Sequence, residues 1–269
     1  MNIKSLNNLF LKSVLSIALT FLFQGLSVAE SKPDCSRTFT LAYHEHGMLY
    51  SSSIDQGIDK DVAVEMIKRS GCKVDISVMP RSRIWAWIES GQLDFSMSGI
   101  TNASRDKFAD FGWYLYNKYY FLVRKDAGVD TLADFEKNKK LDIGTIRSFR
   151  YSKNANDLVD RLTEQKRIVE VPNHAQLLNM IKLNRIQGMI IEPFNYTQVD
   201  SRELQGITKV LDTGDAPVLH GLIMSKTSLS KTELDKWRAI IDEMHQDGTI
   251  LKILKKYFDN EMAQSMVNF

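Results

Sequence analysis

The chain has 269 residues, 43% hydrophobic and 25% charged, and its 35 Lys and Arg nearly balance its 33 Asp and Glu. So even a balance excludes the basic footprint of a nucleic-acid binder or of a protein held on an anionic membrane. The start of the chain reads as a secretory signal peptide over residues 1–29. Lys4 and Lys12 precede the apolar run 14–23, and Ser27-Val28-Ala29 has the small side chains of a cleavage site. That run is too short to span a bilayer. Cleavage near Ala29 leaves 33 charges of each sign. No cysteine stands at the cleavage point to carry a lipid, and no later segment is apolar enough to span, so an exported, soluble chain is expected. Its length of roughly 240 residues suffices for one large domain or two lobes.

Strands and helices then alternate. A strand is expected over 38–43, then a loop over 44–56. A helix follows, opened by Gly57-Ile58-Asp59-Lys60-Asp61, carrying Val62, Met66 and Ile67 on its apolar face and ended by Gly71. After a strand over 73–79, a helix places Ile84, Trp87 and Ile88 on one face and is stopped by Gly91. Leu93, Phe95 and Met97 alternate as a strand does. That strand runs into Ser98-Gly99-Ile100-Thr101, small and hydroxyl-bearing residues whose amides a ligand can approach closely. Arg105 offers a fork of donors that suits a carboxylate. Residues 119–125, aromatic and β-branched, form another strand.

A connector over 126–140 leads to a second series: strand 141–146, helix 154–165, strand 168–171, helix 175–183, strand 188–192. A strand over 219–224 comes next. Ser230-Lys231-Thr232-Glu233 is a capping box opening a helix with Leu234, Trp237, Ile241 and Met244 inward, and a last helix covers 250–258. Alternation at this spacing indicates βαβ units on mainly parallel sheets. Ligands in such sheets bind beyond the carboxyl ends of the strands, which here means 43–50, Arg81 and 98–101.

The run Gly91-Gln92-Leu93-Asp94, Ser98-Gly99-Ile100-Thr101, Arg105 and Phe111-Gly112-Trp113-Tyr114-Leu115 resembles the signature of the family-3 periplasmic solute-binding proteins, the polar amino-acid type. That signature reads Gly-Lys-Val-Asp, Ser-Gly-Met-Thr, Thr-x-x-Arg, Phe-Ser-x-Pro-Tyr. Here the loop before Arg105 is one residue shorter, and Tyr114-Leu115 replaces Pro-Tyr. Residues 57–61 and Lys256-Tyr257-Phe258 are similar to further family elements, so the resemblance spans about residues 36–260. It implies an α/β, two-lobed periplasmic-binding-protein-like fold of type II. Lobe 1 would comprise 36–122 and 221–269 and lobe 2 would comprise 123–220, each a mainly parallel sheet flanked by helices. Two hinge strands, 119–123 and 219–224, would join them. In that fold Cys35 and Cys72 reach the same end of neighbouring strands, so a disulfide is expected in an oxidising compartment.

By the same resemblance Arg105 grips a ligand carboxylate through two parallel hydrogen bonds. Glu192 stands where relatives carry an aspartate that takes the ligand ammonium, while Gln187 replaces an earlier family aspartate. Ser98, Gly99 and Thr101 supply the binding loop, and Arg81 stands where many relatives place a stacking aromatic. Phe149 and Arg150 lie at the second-lobe turn, where a helix N-terminus favours an anion. Arg81, Arg105 and Arg150 together point to more than one anionic group. Tyr43, Tyr50, Trp113 and Tyr114 are candidate walls. His44 and His46 flank Glu45, but with no fourth ligand in view they are not read as a metal site. No cofactor fingerprint or nucleophile elbow occurs.

The implied protein is a periplasmic, monomeric binder rather than an enzyme. It closes on a small polar solute, an amino acid or related carboxylate, and presents it to an inner-membrane ABC permease. Two rivals remain. Cyclohexadienyl dehydratases share the fold, and Glu192 could act as their general acid. Other relatives are ligand-sensing modules, a role that here needs a separate receptor partner.

Overall fold

A computed structural model describes residues 32–192, 194 and 201–269. The expected signal peptide, its cleavage near Ala29, and Pro193 lie outside the described residues. Two five-stranded sheets form the frame. The first contains β1 (Phe39–Tyr43), β2 (Val74–Val78), β3 (Phe95–Gly99), β4 (Ala109–Asn117) and β10 (Val218–Ser225), in the order β2-β1-β3-β10-β4. The second contains β5 (Tyr120–Arg124), β6 (Ile143–Ile146), β7 (Ile168–Val171), β8 (Gly188–Ile191) and β9 (Thr208–Asp212), in the order β7-β6-β8-β5-β9.

In each sheet the first three strands of that order are parallel and the fourth is antiparallel to both its neighbours. Each sheet is therefore mainly parallel, as expected, with four strands running one way and a single strand, β10 or β5, running against them. The physical reason is the crossing of the chain: β5 enters the second sheet directly from β4, and β10 returns to the first sheet from β9. Neither β4 nor β9 is anticipated as a strand by the sequence pattern. The parallel arms do follow from it, since each is a strand–helix–strand series.

Helices α1 (Ile58–Ser70) and α2 (Arg81–Ser90) cover the first sheet, with α7 (Lys231–Gln246), α8 (Thr249–Leu254) and α9 (Asn260–Ser265). The second sheet is flanked by α3 (Leu132–Lys137), α4 (Lys153–Glu164), α5 (His174–Lys182) and α6 (Ser201–Ile207). Charges suit the dipole of α1, with Asp59 and Asp61 in its first turn and Lys68 and Arg69 in its last. Gly71 and Gly91 end α1 and α2 in the left-handed conformation, at φ 73° and 77°. Ser230 caps α7 by accepting from Glu233 N at 3.2 Å. Trp237 of α7 packs its ring 5.1 Å from Phe39 and 4.7 Å from Phe95 at the centre of the first core.

Two readings change on α2 and β3. The buried tryptophan of α2 is Trp85, while Trp87 is 37% exposed. The buried stripe is Arg81, Ile84, Trp85 and Ile88, the i, i+3, i+4, i+7 spacing of one helix face. Strand β3 is buried at all five positions, because both its faces are covered, as in a central strand of such a sheet. Cys35 and Cys72 form a disulfide with Cα atoms 4.8 Å apart, closing the β1–α1–β2 unit. No helix among the described residues is long and apolar enough to cross a membrane.

Candidate functional site

The carboxyl end of β3 sets the floor. Ser98 adopts a left-handed φ of 51°, a conformation that costs of order 1 kcal/mol without glycine. Its surroundings hold it there: Ser98 N donates to Tyr114 Oη at 2.7 Å, and both Ser98 Oγ and Tyr114 Oη donate to Asp59 Oδ1 at 2.7 Å. Burial pushes the Asp59 carboxyl up to about 7 against these hydrogen bonds.

Two arginines stand on this floor. Arg81, in the first turn of α2, donates to the carbonyls of Met97 and Ser98, each at 2.9 Å. Arg105 donates to Ile100 O at 3.2 Å and reaches the other sheet's loop at Ser148 O, 3.0 Å away. Both guanidinium groups lie over Trp85, at 4.9 Å for Arg81 and 4.0 Å for Arg105. Both are buried, at 6% and 7% exposure. Burial disfavours the charge of each, and Arg81 adds to that at Arg105. Among the described residues neither is within ion-pair distance of a carboxylate. The pair is thus a desolvated cationic site matched to an anion.

Glu192 closes the opposite side. It follows β8, is buried, and accepts from Asn117 Nδ2 at 2.8 Å; its Oε1 is hydrogen-bonded to His46 Nε2. Asn117 and His46 belong to the first sheet and its loops, so Glu192 ties the two sheets together. Phe149 meets the rings of His44, His46 and His174 edge-on, at 5.7, 5.1 and 5.5 Å. Burial holds His44, His46, His174 and His220 below the ordinary imidazole range. A small cavity between the sheets is lined by His46, Arg81, Ser98, Ile100, Arg105, Tyr119, Phe149 and Arg150.

Of the residues picked from sequence, Arg81, Ser98, Arg105, Phe149 and Arg150 line this cavity, and Glu192 stands directly behind His46. Arg150 also lies 3.6 Å from Asp160 in a half-exposed ion pair. Thr101 is exposed and donates to Asp106. Gly99 is packed under Ile223 and Phe111. Tyr43 and Tyr50 stack on each other at 4.5 Å within the core, and Trp113 stacks on Phe111 at 4.9 Å. Gln187 sits at the end of β8 remote from Glu192, where it accepts from Asp142 N. Glu45 accepts from Ser52 and does not join the two histidines beside it.

Trp85, Asn117, Tyr119 and His174 are the residues the sequence did not mark. The spacing of Trp85 four residues after Arg81 is a readable signal for a stacked pair on one helix face. His174 has none, because only tertiary structure brings it to His46.

Residues 43–260 match the family described as bacterial extracellular solute-binding proteins, family 3. The arginine-binding extracellular protein of Bacillus subtilis (strain 168) is 25% identical over 211 residues, 76% of this chain and 78% of the relative. The arginine-, lysine-, histidine-binding protein of the thermophilic bacterium Geobacillus stearothermophilus superposes with a TM-score of 0.69 at 16% identity, over 82% of this chain and 95% of that one. A histidine kinase sensor domain with similarity to periplasmic binding proteins gives a TM-score of 0.69 at 14% identity, over 84% and 98%. The structural likenesses establish the type II binding-protein fold, and the match over most of the chain establishes the lineage: the protein is a member of the family 3 bacterial extracellular solute-binding proteins.

Proposed function

We propose that the cleft binds a small carboxylate-bearing solute, an amino acid or close relative, and that the protein delivers it in the periplasm to an inner-membrane ABC permease. One observation carries this reading: Arg81 and Arg105 are buried side by side on Trp85 with no carboxylate partner among the described residues. A bound carboxylate supplies the missing charge, with Arg105 as its main donor. Glu192 stands behind His46 and takes the ammonium end once the ligand displaces that hydrogen bond, and Phe149 and Tyr119 wall the solute's carbon atoms. The relative from Bacillus subtilis, named for binding arginine, fits an amino-acid ligand.

The lobes 36–122 with 221–269 and 123–220 place the bends within a few residues of the two chain crossings, and closure about them completes the site from both sides. The working form is then a monomer freed of residues 1–29. A thermal-shift screen of amino acids, dicarboxylates and aromatic acids tests the reading, since a tight ligand raises the melting temperature by mass action. No shift from any carboxylate would overturn it.

A further inference from the structure

Three residues far apart in the chain meet behind the cavity: His46 from the loop after β1, His174 from the first turn of α5, and Glu192 from the end of β8. One ligand-type atom from each lies within 4.8 Å of the other two, and all three side chains are buried. We propose that His46, His174 and Glu192 bind a divalent transition-metal ion between the two sheets. Two imidazoles and a carboxylate suit Zn2+, Ni2+, Co2+ or Cu2+, whereas Ca2+ and Mg2+ favour oxygen donors throughout. Three protein ligands leave a fourth position open for water or a solute donor.

The arrangement needs only side-chain adjustment to accept the ion. Metal bonds of about 2.1 Å in a tetrahedral site set donors roughly 3.4 Å apart. The ion takes the place of the hydrogen bond between His46 Nε2 and Glu192 Oε1, and those two atoms separate slightly. The His46 and His174 rings are nearly parallel, 4.8 Å apart with 10° between planes, so one ring tilts for both lone pairs to converge. Asn117 Nδ2, 2.8 Å from Glu192 Oε2, fixes the carboxylate as an outer-shell partner does.

The distribution of histidine is an independent pointer. The chain has five histidines, and four of them gather here: the His44 ring is 4.9 Å from that of His46, and His220 meets Tyr119 Oη at 3.3 Å. Phe149 covers three of the four rings, giving the apolar surround that limits water access to a metal. The site goes beyond the amino-acid reading and needs neither Arg81 nor Arg105, although an ion on Glu192 would compete with a ligand ammonium.

The test uses untagged, exported protein stripped with chelator and titrated with Zn2+ or Co2+ alone. The expected result is one equivalent bound, with Co2+ giving the intense visible bands of a low-coordinate site. His46→Gln and His174→Gln should each weaken binding by about tenfold or more, with unchanged far-ultraviolet circular dichroism. Should a variant fail to fold, paramagnetically shifted NMR signals from two imidazole rings in the Co2+-loaded unsubstituted protein report the same ligands. Arg105→Ala should keep the metal, which separates this inference from the carboxylate reading. Absence of stoichiometric metal in the unsubstituted protein, or binding that both histidine substitutions leave unchanged, overturns the proposal.

Discussion

Arg105 Nη2 donates to the carbonyl oxygen of Ser148 at 3.0 Å, across from one sheet to the other. One arm of the guanidinium thus already holds the two halves together, and its flat face rests on Trp85. The indole orients both cleft arginines, so it acts on ligand affinity without touching ligand charge. Trp85→Leu keeps apolar bulk and removes the π face. Cation–π support of about 0.5–2 kcal/mol predicts a loss of roughly 2- to 30-fold in affinity for a carboxylate solute, measured by calorimetry. Unchanged affinity would mean that the arginines hold their positions without the indole.

The Cys35–Cys72 bridge closes a loop with a sequence separation of 37 residues. Replacing both cysteines by serine is expected to cost about 2–4 kcal/mol. Urea unfolding of the oxidised protein and the double variant checks this through the shift in midpoint. Equal midpoints would show that the bridge contributes nothing to stability.

Asp59 predicts a pH dependence of definite sign. Its carboxyl is pushed up to about 7 by burial, so the folded state holds a proton that the unfolded chain releases near pH 4. The stabilisation from this group is complete below pH 4 and is lost as pH rises through 7. Asp59→Asn removes the effect. The melting temperature of Asp59→Asn relative to the unsubstituted protein should therefore climb between pH 4 and 7 and level off above. A difference independent of pH would place the Asp59 carboxyl in its ordinary range.

The frame was legible in the sequence wherever one segment carries its own signal. Gly71 and Gly91 stop their helices in the left-handed conformation, and Ser230 caps α7, as their spacing indicates. The place of Arg105 at the cavity and of Glu192 after β8 was reachable from the family pattern around them. Strand β4 was missed because its burial does not alternate strictly. Trp85 was passed over for Trp87 because a two-residue ambiguity on a short helix is settled by what packs against it, here Arg81 and Arg105. His174 and Asn117 were out of reach, since their role exists only once the sheets are brought together.

Gly99 separates packing from recognition. A side chain on it would run into Ile223 and come within 2.9 Å of Phe111 Cε1. Gly99→Ala should destabilise by about 1–3 kcal/mol through overpacking, with ligand affinity in the surviving folded protein within a few-fold of normal. A stable Gly99→Ala protein that loses ligand would instead assign the glycine to the binding surface.

The central claim is that Arg105 holds the carboxylate of the solute while Glu192, freed from His46, takes its ammonium. Once the screen yields a ligand, calorimetry on Arg105→Ala and Glu192→Gln tests it directly. Losing one partner of a charged hydrogen bond in a closed cleft costs several kcal/mol, of order a hundredfold in affinity. Arg105→Ala should therefore bind at least about a hundredfold more weakly while keeping its fold, and Glu192→Gln should weaken an amino acid much more than the matching acid without an amino group. Undiminished affinity in Arg105→Ala would contradict the account and move the binding site away from the Arg81–Arg105 pair.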